Sequence, residues 1–365
     1  MAGALSCRPR SPGPQEDGGG PGANASRMAF TVVVIDHDFP SLEPEERVLR
    51  PMGVRLDVLK SRDRATLRSA LERADAVINQ YVELDADLIG AMTRCLLIAH
   101  YGVGYDSIDV AAATRAGICV ANVPDYGTQE VAIHAVSLLL AVHRRLLQYD
   151  TALREGRWLK GAQITPPIPR LKGLTLGIVG FGRIGRAVSE HAGSLGLHRL
   201  TFDPYIGRAA ASDSGAVLVD YQTLLRQSDF VTFHTPLSTE TRHLLGPSEM
   251  ALMKPSAVVV NTSRGAVVDT MALARALHGG RLAGAGLDVF EQEPLRPNHP
   301  LLTAPNTVLT PHVAWYSEEA TLTLKRRVAE EVARAIQGEW PRSLVNPEVK
   351  EAARLRLGWR EGGGT

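Results

Sequence analysis

The chain is poor in cysteine and in net charge, and it lacks any long apolar run. Its 365 residues hold three cysteines, Cys7, Cys95 and Cys119, and no CxxC pair. Zinc-ribbon and thioredoxin-type chemistry therefore have no ligands. A count this sparse and odd fits a reducing, cytoplasmic setting rather than a disulfide scaffold. Cys95 and Cys119 stand in apolar runs and read as small core residues. Lys+Arg 40 against Asp+Glu 39 leaves a formal charge of +1, so no global field attracts nucleic acid or an anionic membrane. The densest basic run, Lys325-Arg326-Arg327, has Glu330 and Glu331 close behind in a helical pattern and is expected to be a solvated helix face. No apolar stretch approaches the ~18 residues of a membrane span. No HExxH-type cluster is present, and no metal is expected.

Residues 1–27 are rich in Gly, Pro and Ser and have no apolar centre. They read as a disordered extension rather than a secretory signal, with Met28 a candidate start. From Phe30 onward, short β-type runs alternate with helical patterns. The first series is Phe30–Asp36, Val54–Leu59, Ala74–Asn79, Cys95–His100 and Cys119–Pro124. Helical pieces such as Arg64–Arg73 and Val110–Ala116 lie between them. Continuous apolar strands alternating with helices imply a parallel sheet covered on both faces. Thr128–Tyr149 is dense in Ala, Leu and Val and predicts one long buried helix. The more polar 154–171, with Pro166, Pro167 and Pro169, reads as an exposed connection. A second α/β series follows at Leu174–Gly180, His198–Asp203, Ala216–Asp220, Asp229–Pro236, Ala257–Ser263, Ala283–Phe290 and Asn306–His312. A last helix spans about Ser317–Gln337. No internal repeat is present, so the two series predict two doubly wound domains.

The segment LGIVGFGRIGRA carries Gly180, Gly182 and Gly185 in a GxGxxG pattern. It follows an apolar strand and opens a helical run, and Asp203 ends the next strand 18 residues after Gly185. That context is the dinucleotide-binding fingerprint. Gly180 permits the tight turn, Gly182 lets backbone approach a pyrophosphate, and Gly185 allows close helix–strand packing. The helix start offers free N–H groups to phosphate. Asp203 can accept from ribose hydroxyls and would repel a 2′-phosphate, so NAD is expected over NADP.

Ligands of such sheets sit beyond the carboxyl ends of the strands. Arg264 stands there, directly after Asn261-Thr262-Ser263, and a planar guanidinium suits bidentate capture of a carboxylate. GLDVFEQEP places Asp288, Glu291 and Glu293 past another strand, and LTPHVAW places His312 past a third. Imidazole titrates near neutrality, and a nearby carboxylate favours its protonated form, as an acid delivering a proton to a carbonyl oxygen needs.

From Met28 to Val349 the sequence resembles the D-isomer-specific 2-hydroxyacid dehydrogenases. The resemblance rests on YGVGYDSIDVAAA (Tyr101–Ala113), GFGRIGRAV, FDPY, HTPLSTETRHLL (His234–Leu245), NTSRGAVVD, GLDVFEQEP and LTPHVAW, in that order. It implies a catalytic set of Arg264, Glu293 and His312, with Arg264 anchoring substrate, His312 exchanging the proton and Glu293 tuning it. It implies that Val103 and Gly104 offer backbone N–H groups to the substrate carboxylate. It places cofactor contacts on Arg183, Ile184, Asp203, Thr235, Thr262 and Asp288, with Thr128 a further candidate. The fold it implies is a Rossmann NAD-binding domain, 128–312, inserted into a flavodoxin-like substrate domain, 28–127 and 313–350, with 351–365 a tail. The chain then crosses twice, near Asp125 and near His312, leaving an interdomain cleft. The helix from Thr128 looks like the family's dimer-forming element, so a homodimer is expected.

The loop Ile78–Asp85 stands where phosphoglycerate dehydrogenases of this family carry basic residues. Here it offers Asn79, Tyr81 and Glu83, and Glu83 would repel a phosphate. The stretch HVAWYSEEA (His312–Ala320) looks like the C-terminal-binding-protein branch, which implies Trp315 in the substrate pocket and an apolar or thioether-bearing keto acid. Asn79 and Tyr81 are the other expected substrate contacts. The leading expectation is reduction of a 2-keto acid to a D-2-hydroxy acid by NADH. The alternatives are an NAD(H)-gated corepressor-like scaffold and a phosphoglycerate dehydrogenase.

Overall fold

The computed structural model describes residues 30–60, 63–160, 163 and 167–352. The expectations for residues 1–27, for Cys7, for Pro166 and for most of the 351–365 tail lie outside the described residues. The first unit runs β1 (Thr31–Val34), α1 (Glu43–Leu49), β2 (Arg55–Val58), α2 (Arg64–Leu71), β3 (Ala76–Asn79), α3 (Ala86–Ala91), β4 (Leu97–His100), α4 (Val110–Arg115) and β5 (Cys119–Ala121). Helices α5 (Thr128–His143) and α6 (Leu146–Arg154) follow. The second unit is β6 (Thr175–Val179), α7 (Arg183–Ser194), β7 (His198–Phe202), α8 (Arg208–Ser212), β8 (Val217–Leu218), α9 (Tyr221–Gln227), β9 (Phe230–Phe233), α10 (Pro247–Leu252), β10 (Val258–Asn261), α11 (Thr270–His278), β11 (Gly284–Leu287) and β12 (Thr307–Leu309). Helix α12 (Glu318–Ile336) closes the series.

These strands form two parallel sheets. The five-stranded sheet has the order β2-β1-β3-β4-β5, and the seven-stranded sheet the order β12-β11-β10-β9-β6-β7-β8. The first is the flavodoxin-like order and the second the Rossmann order, with β6 beside both halves of its sheet. Period-two alternation explains why each sheet is covered twice. Val32, Val34, Ile78 and Leu97 face α12, while Val33, Val77, Ile98 and Val120 face α2 to α4. In the second sheet Ile178, Val258 and Val260 meet α5 and α7, while Val231, Val259 and Leu287 meet the helices on the other side. Cys95 and Cys119 are buried, and burial pushes the Cys119 thiol up to about 12.

Two expectations give way. The predicted single helix over Thr128–Tyr149 is two, because Arg145 takes a left-handed φ of +52° after the last turn of α5. No glycine or proline marks that break. Lys325 is not solvated either. It is 4% exposed, lies over the Phe39 ring at 4.7 Å and pairs with Glu45, itself wholly buried, at 3.6 Å. It lies on the buried face of α12, and its charge meets an acid from α1. Arg326 and Arg327 do lie outward, paired with Glu330 and Asp125.

Candidate active site

In a parallel sheet every strand ends on the same edge, so the residues just past β6, β7, β9, β10, β11 and β12 are gathered there. The second sheet thus collects Gly180, Asp203, Thr235, Thr262, Arg264, Asp288 and His312. The corresponding edge of the first sheet carries Asn79–Tyr81 and His100–Gly104. The edges meet where the chain passes between the units. Arg264, past β10, pairs with Asp106, past β4, and Ser317 Oγ donates to Glu130 Oε1 at 2.9 Å.

His312 and Glu293, placed past two different strands, are brought together. His312 Nδ1 and Glu293 Oε2 are 2.7 Å apart, and Glu293 Oε1 accepts the Phe290 N–H at 2.9 Å. Burial pushes the Glu293 carboxyl up. The hydrogen bond and charge of His312, the Phe290 N–H and the nearby Arg264 outweigh it and hold the group below the usual glutamate range. Two other histidines past strand ends, His234 after β9 and His100 at the end of β4, are held neutral. Burial pushes His234 down to about 3, and burial with the charge of Arg264 pushes His100 down to about 4.

His312 has a left-handed φ of +55°, which costs an L-residue about 1–2 kcal/mol. Asp288 holds that turn. Its main-chain oxygen accepts the His312 N–H at 2.7 Å. Its wholly buried carboxylate accepts from Val313 N at 2.9 Å, Ala314 N at 2.9 Å and the Thr310 hydroxyl at 2.6 Å. Asp288 therefore stands behind the histidine with its oxygens already engaged, rather than open to the cleft.

Arg264 follows β10. Its Nη1 donates to Ser263 O at 2.8 Å and its Nε to Asp106, in the loop after β4. Its guanidinium lies so near Gly104 that a Cβ there would overlap it. Val103 is exposed, and its carbonyl accepts from Asn122 Nδ2 at 2.6 Å. Tyr81 is exposed at the tip of the loop after β3, whose amides at Gln80, Tyr81 and Val82 are gathered by Asp36. Asn79 is fully buried: its Nδ2 donates to Val82 O at 2.7 Å and its Oδ1 meets His100 Nδ1 at 2.8 Å. It shapes the loop from within and presents no surface to the cleft. Trp315 is half-buried among Phe39, Tyr126 and Tyr316, with Nε1 donating to His312 O at 3.1 Å.

The nucleotide elements fit a dinucleotide. Gly180 has φ +87°, and a Cβ there would come within 2.8 Å of the His234 carbonyl. Gly182 has nothing within 4 Å of its Cβ position, and Gly185 packs onto Gly180 O. Helix α7 opens at Arg183 and Ile184 with no side-chain cap, leaving amides for an anion. Asp203 accepts from Phe181 N at 2.8 Å and Tyr205 N at 2.9 Å, so it borders the glycine turn. Among the described residues the hydroxyls of Thr235 and Thr262 are buried without a hydrogen-bond partner, a deficit that a bound polar group would remove. Thr128 opens α5 and, with Arg183, lines a groove of about 680 Å³ that runs toward Gly193 and Ser194 at the far end of α7.

Asp36, His100 and Asp106 carry no signal strong enough in the sequence to single them out. The one hint is their place, an acid or imidazole within a few residues of a strand's carboxyl end.

Residues 136–314 match the family model described as D-isomer specific 2-hydroxyacid dehydrogenase, NAD binding domain. A glyoxylate reductase of Thermococcus litoralis is 42% identical over 295 residues, covering 80% of this chain and 89% of that protein. A D-3-phosphoglycerate dehydrogenase of Archaeoglobus fulgidus is 36% identical over 299 residues, 82% of this chain and 56% of that protein. The crystal structure of a glyoxylate reductase from Paecilomyes thermophila superposes with a TM-score of 0.80 at 30% identity, covering 88% of this chain and 99% of that one.

Proposed function

Because the chain belongs to the D-isomer-specific 2-hydroxyacid dehydrogenase family, we propose that Arg264 anchors the substrate carboxylate, His312 exchanges the proton with the substrate oxygen, and Glu293 holds His312 for that exchange. The protein is an NAD-dependent oxidoreductase that interconverts a 2-keto acid and a 2-hydroxy acid. When bound, the reduced nicotinamide supplies the hydride. In this reading Gly180, Gly182, Gly185, the amides of Arg183 and Ile184, Asp203, Thr235 and Thr262 hold the dinucleotide, with 128–312 the cofactor domain. Residues 28–127 and 313–350 hold the keto acid, with the Val103 and Gly104 amides on its carboxylate and Tyr81 and Trp315 beside its substituent.

The residues' tasks follow from their chemistry. With Nε on Asp106 and Nη1 on Ser263 O, the Nη2 edge of Arg264 is the part of the guanidinium that can meet the substrate carboxylate, with the positive charge beside the keto oxygen. Glu293 takes Nδ1 of His312, which leaves Nε2 to serve that oxygen. Negative charge developing there is met by two preorganised cationic groups, a larger stabilisation than water would give. The observation that carries the reading is the 2.7 Å His312–Glu293 contact on the same strand-end edge of the sheet that carries Arg264.

The substrate is a small 2-keto acid. Phe39, Tyr126 and Trp315 offer an apolar wall for its substituent, whereas the exposed Glu83 opposes a phosphate. The stretch His312–Ala320 supports a place in the C-terminal-binding-protein-like branch. The scaffold activity of that branch is not favoured, because Arg264, Glu293 and His312 are all present. Exposed Ile133, Leu146, Leu147 and Leu153 on α5 and α6 support a homodimer. Among the described residues no helix is long and apolar enough to cross a membrane, and a cytoplasmic setting fits the sparse cysteines.

A panel of 2-keto acids, from glyoxylate to longer apolar ones, assayed with NADH tests the reading. His312→Asn should keep NADH binding and lose turnover by about 10²–10⁴-fold. Arg264→Gln should lower kcat and raise KM together. Binding of NADH with no turnover on any acid, or unchanged kinetics in either variant, would overturn it.

A further inference from the structure

Arginine presents five N–H donors in a planar fork, and it orients a ligand only when the fork itself is held. Two contacts hold Arg264. Nη1 donates to the adjacent Ser263 carbonyl at 2.8 Å. Nε donates to Asp106 Oδ2, 158 residues away and in the loop that follows the other sheet's β4. Nη2 is then the group that lies against Gly104. The contacts on Nε and Nη1 leave the Nη2 edge beside Gly104, where the keto acid's carboxylate is read to sit.

The pair is not a buried structural bridge. Its side chains are 28% and 34% exposed, and exposed ion pairs contribute little to folding. What it does accomplish is rotational. A long side chain with several free torsions is fixed at its terminal plane, and the fixing group comes from the opposite unit.

We propose that Asp106 is a positioning residue for the reaction: its carboxylate fixes the guanidinium plane of Arg264 so that Nη2 faces the substrate loop. The proposal rests on the reading of Arg264 as substrate anchor. It assigns no contact between Asp106 and the keto acid.

A double-mutant cycle on the full chain tests it, with the best keto acid of the panel. Asp106→Ala should lower kcat/KM by about 10–100-fold, the range of one hydrogen bond to a charged group. The loss should appear in both KM and kcat, with NADH affinity and thermal midpoint unchanged. Asp106→Asn, which keeps an acceptor oxygen, should recover most of it. In an Arg264→Gln background, Asp106→Ala should change kcat/KM by less than about threefold, because no guanidinium remains to orient. Full additivity of the two losses, or an Asp106→Ala enzyme with unaltered kinetics, would overturn this proposal alone. An Arg264→Gln enzyme with unaltered kinetics would overturn the anchoring role and this proposal with it.

Discussion

Replacing Asp288 with alanine should damage the protein before it damages cofactor binding. The carboxylate is wholly buried and accepts from the Val313 and Ala314 amides and the Thr310 hydroxyl, at 2.9, 2.9 and 2.6 Å. Truncation leaves three donors facing a dry space. Each buried donor without an acceptor costs about 1–3 kcal/mol. The charge that the carboxylate no longer has to bury, and a water entering the vacated volume, offset part of the sum. We expect a net loss of about 3–5 kcal/mol, the usual cost of removing one side of a buried charged network. On the scale of about 2–4 °C per kcal/mol for a unit of 150–250 residues, the thermal midpoint should fall by about 6–20 °C. Activity should fall too, because the His312 turn, at φ +55°, loses the clamp on the residues that follow it. The assay is thermal unfolding by circular dichroism beside NADH titration by fluorescence. A midpoint within about 2 °C of the parent, under 1 kcal/mol on the same scale, together with at least tenfold weaker NADH binding, would refute the reasoning and make Asp288 a direct cofactor contact.

Two further outcomes follow from single groups. Asp203→Ala should relax the preference for NADH over NADPH, read as the ratio of kcat/KM for the two coenzymes. A variant that still rejects NADPH would place the discrimination elsewhere. Glu293 is held below the ordinary glutamate range, so its ionised form stabilises the fold. That contribution is complete above the unfolded value of about 4.3 and is lost as pH falls through the lower folded value. The thermal midpoint of Glu293→Gln should therefore lie below the parent's at neutral pH, and the gap should close in acid. A gap that widened in acid would contradict the stated direction.

The strands were legible because parallel strands buried on both faces read as continuous apolar runs. VVVN at β10 and AVIN at β3 need no partner to be recognised. Glycine spacing and the acid at Asp203 announced the dinucleotide turn for the same reason: their cause is local. What stayed hidden was set by partners distant in sequence. Lys325 looked like part of a charged face because its carboxylate, Glu45, stands on α1 at the other end of the chain. Asn79 looked like a substrate contact because nothing nearby shows that Val82 and His100 take its amide. The break at Arg145 falls between ordinary helix formers, and only the backbone angle discloses it.

The same distinction bears on how the candidate site is built. Arg264 and His312 stand on loops, where a side chain has most freedom, yet each is held by a carboxylate that does not belong to its own segment. Asp106 reaches Arg264 from the other sheet, Glu293 reaches His312 from the loop after β11, and Asp288 grips the residues that follow His312. Each contact fixes the end of a loop side chain, as the proposed roles of Arg264 and His312 require. The consequence is an asymmetry in what substitution does. Loss of the Arg264 or His312 side chain should leave the fold alone, since both are partly exposed. Loss of Asp288 strips a buried network and is felt throughout the second unit. Asp106, exposed and shared between units, should behave like the first group in stability and like the second in geometry, which is why its coupling to Arg264 rather than its melting behaviour is the informative quantity.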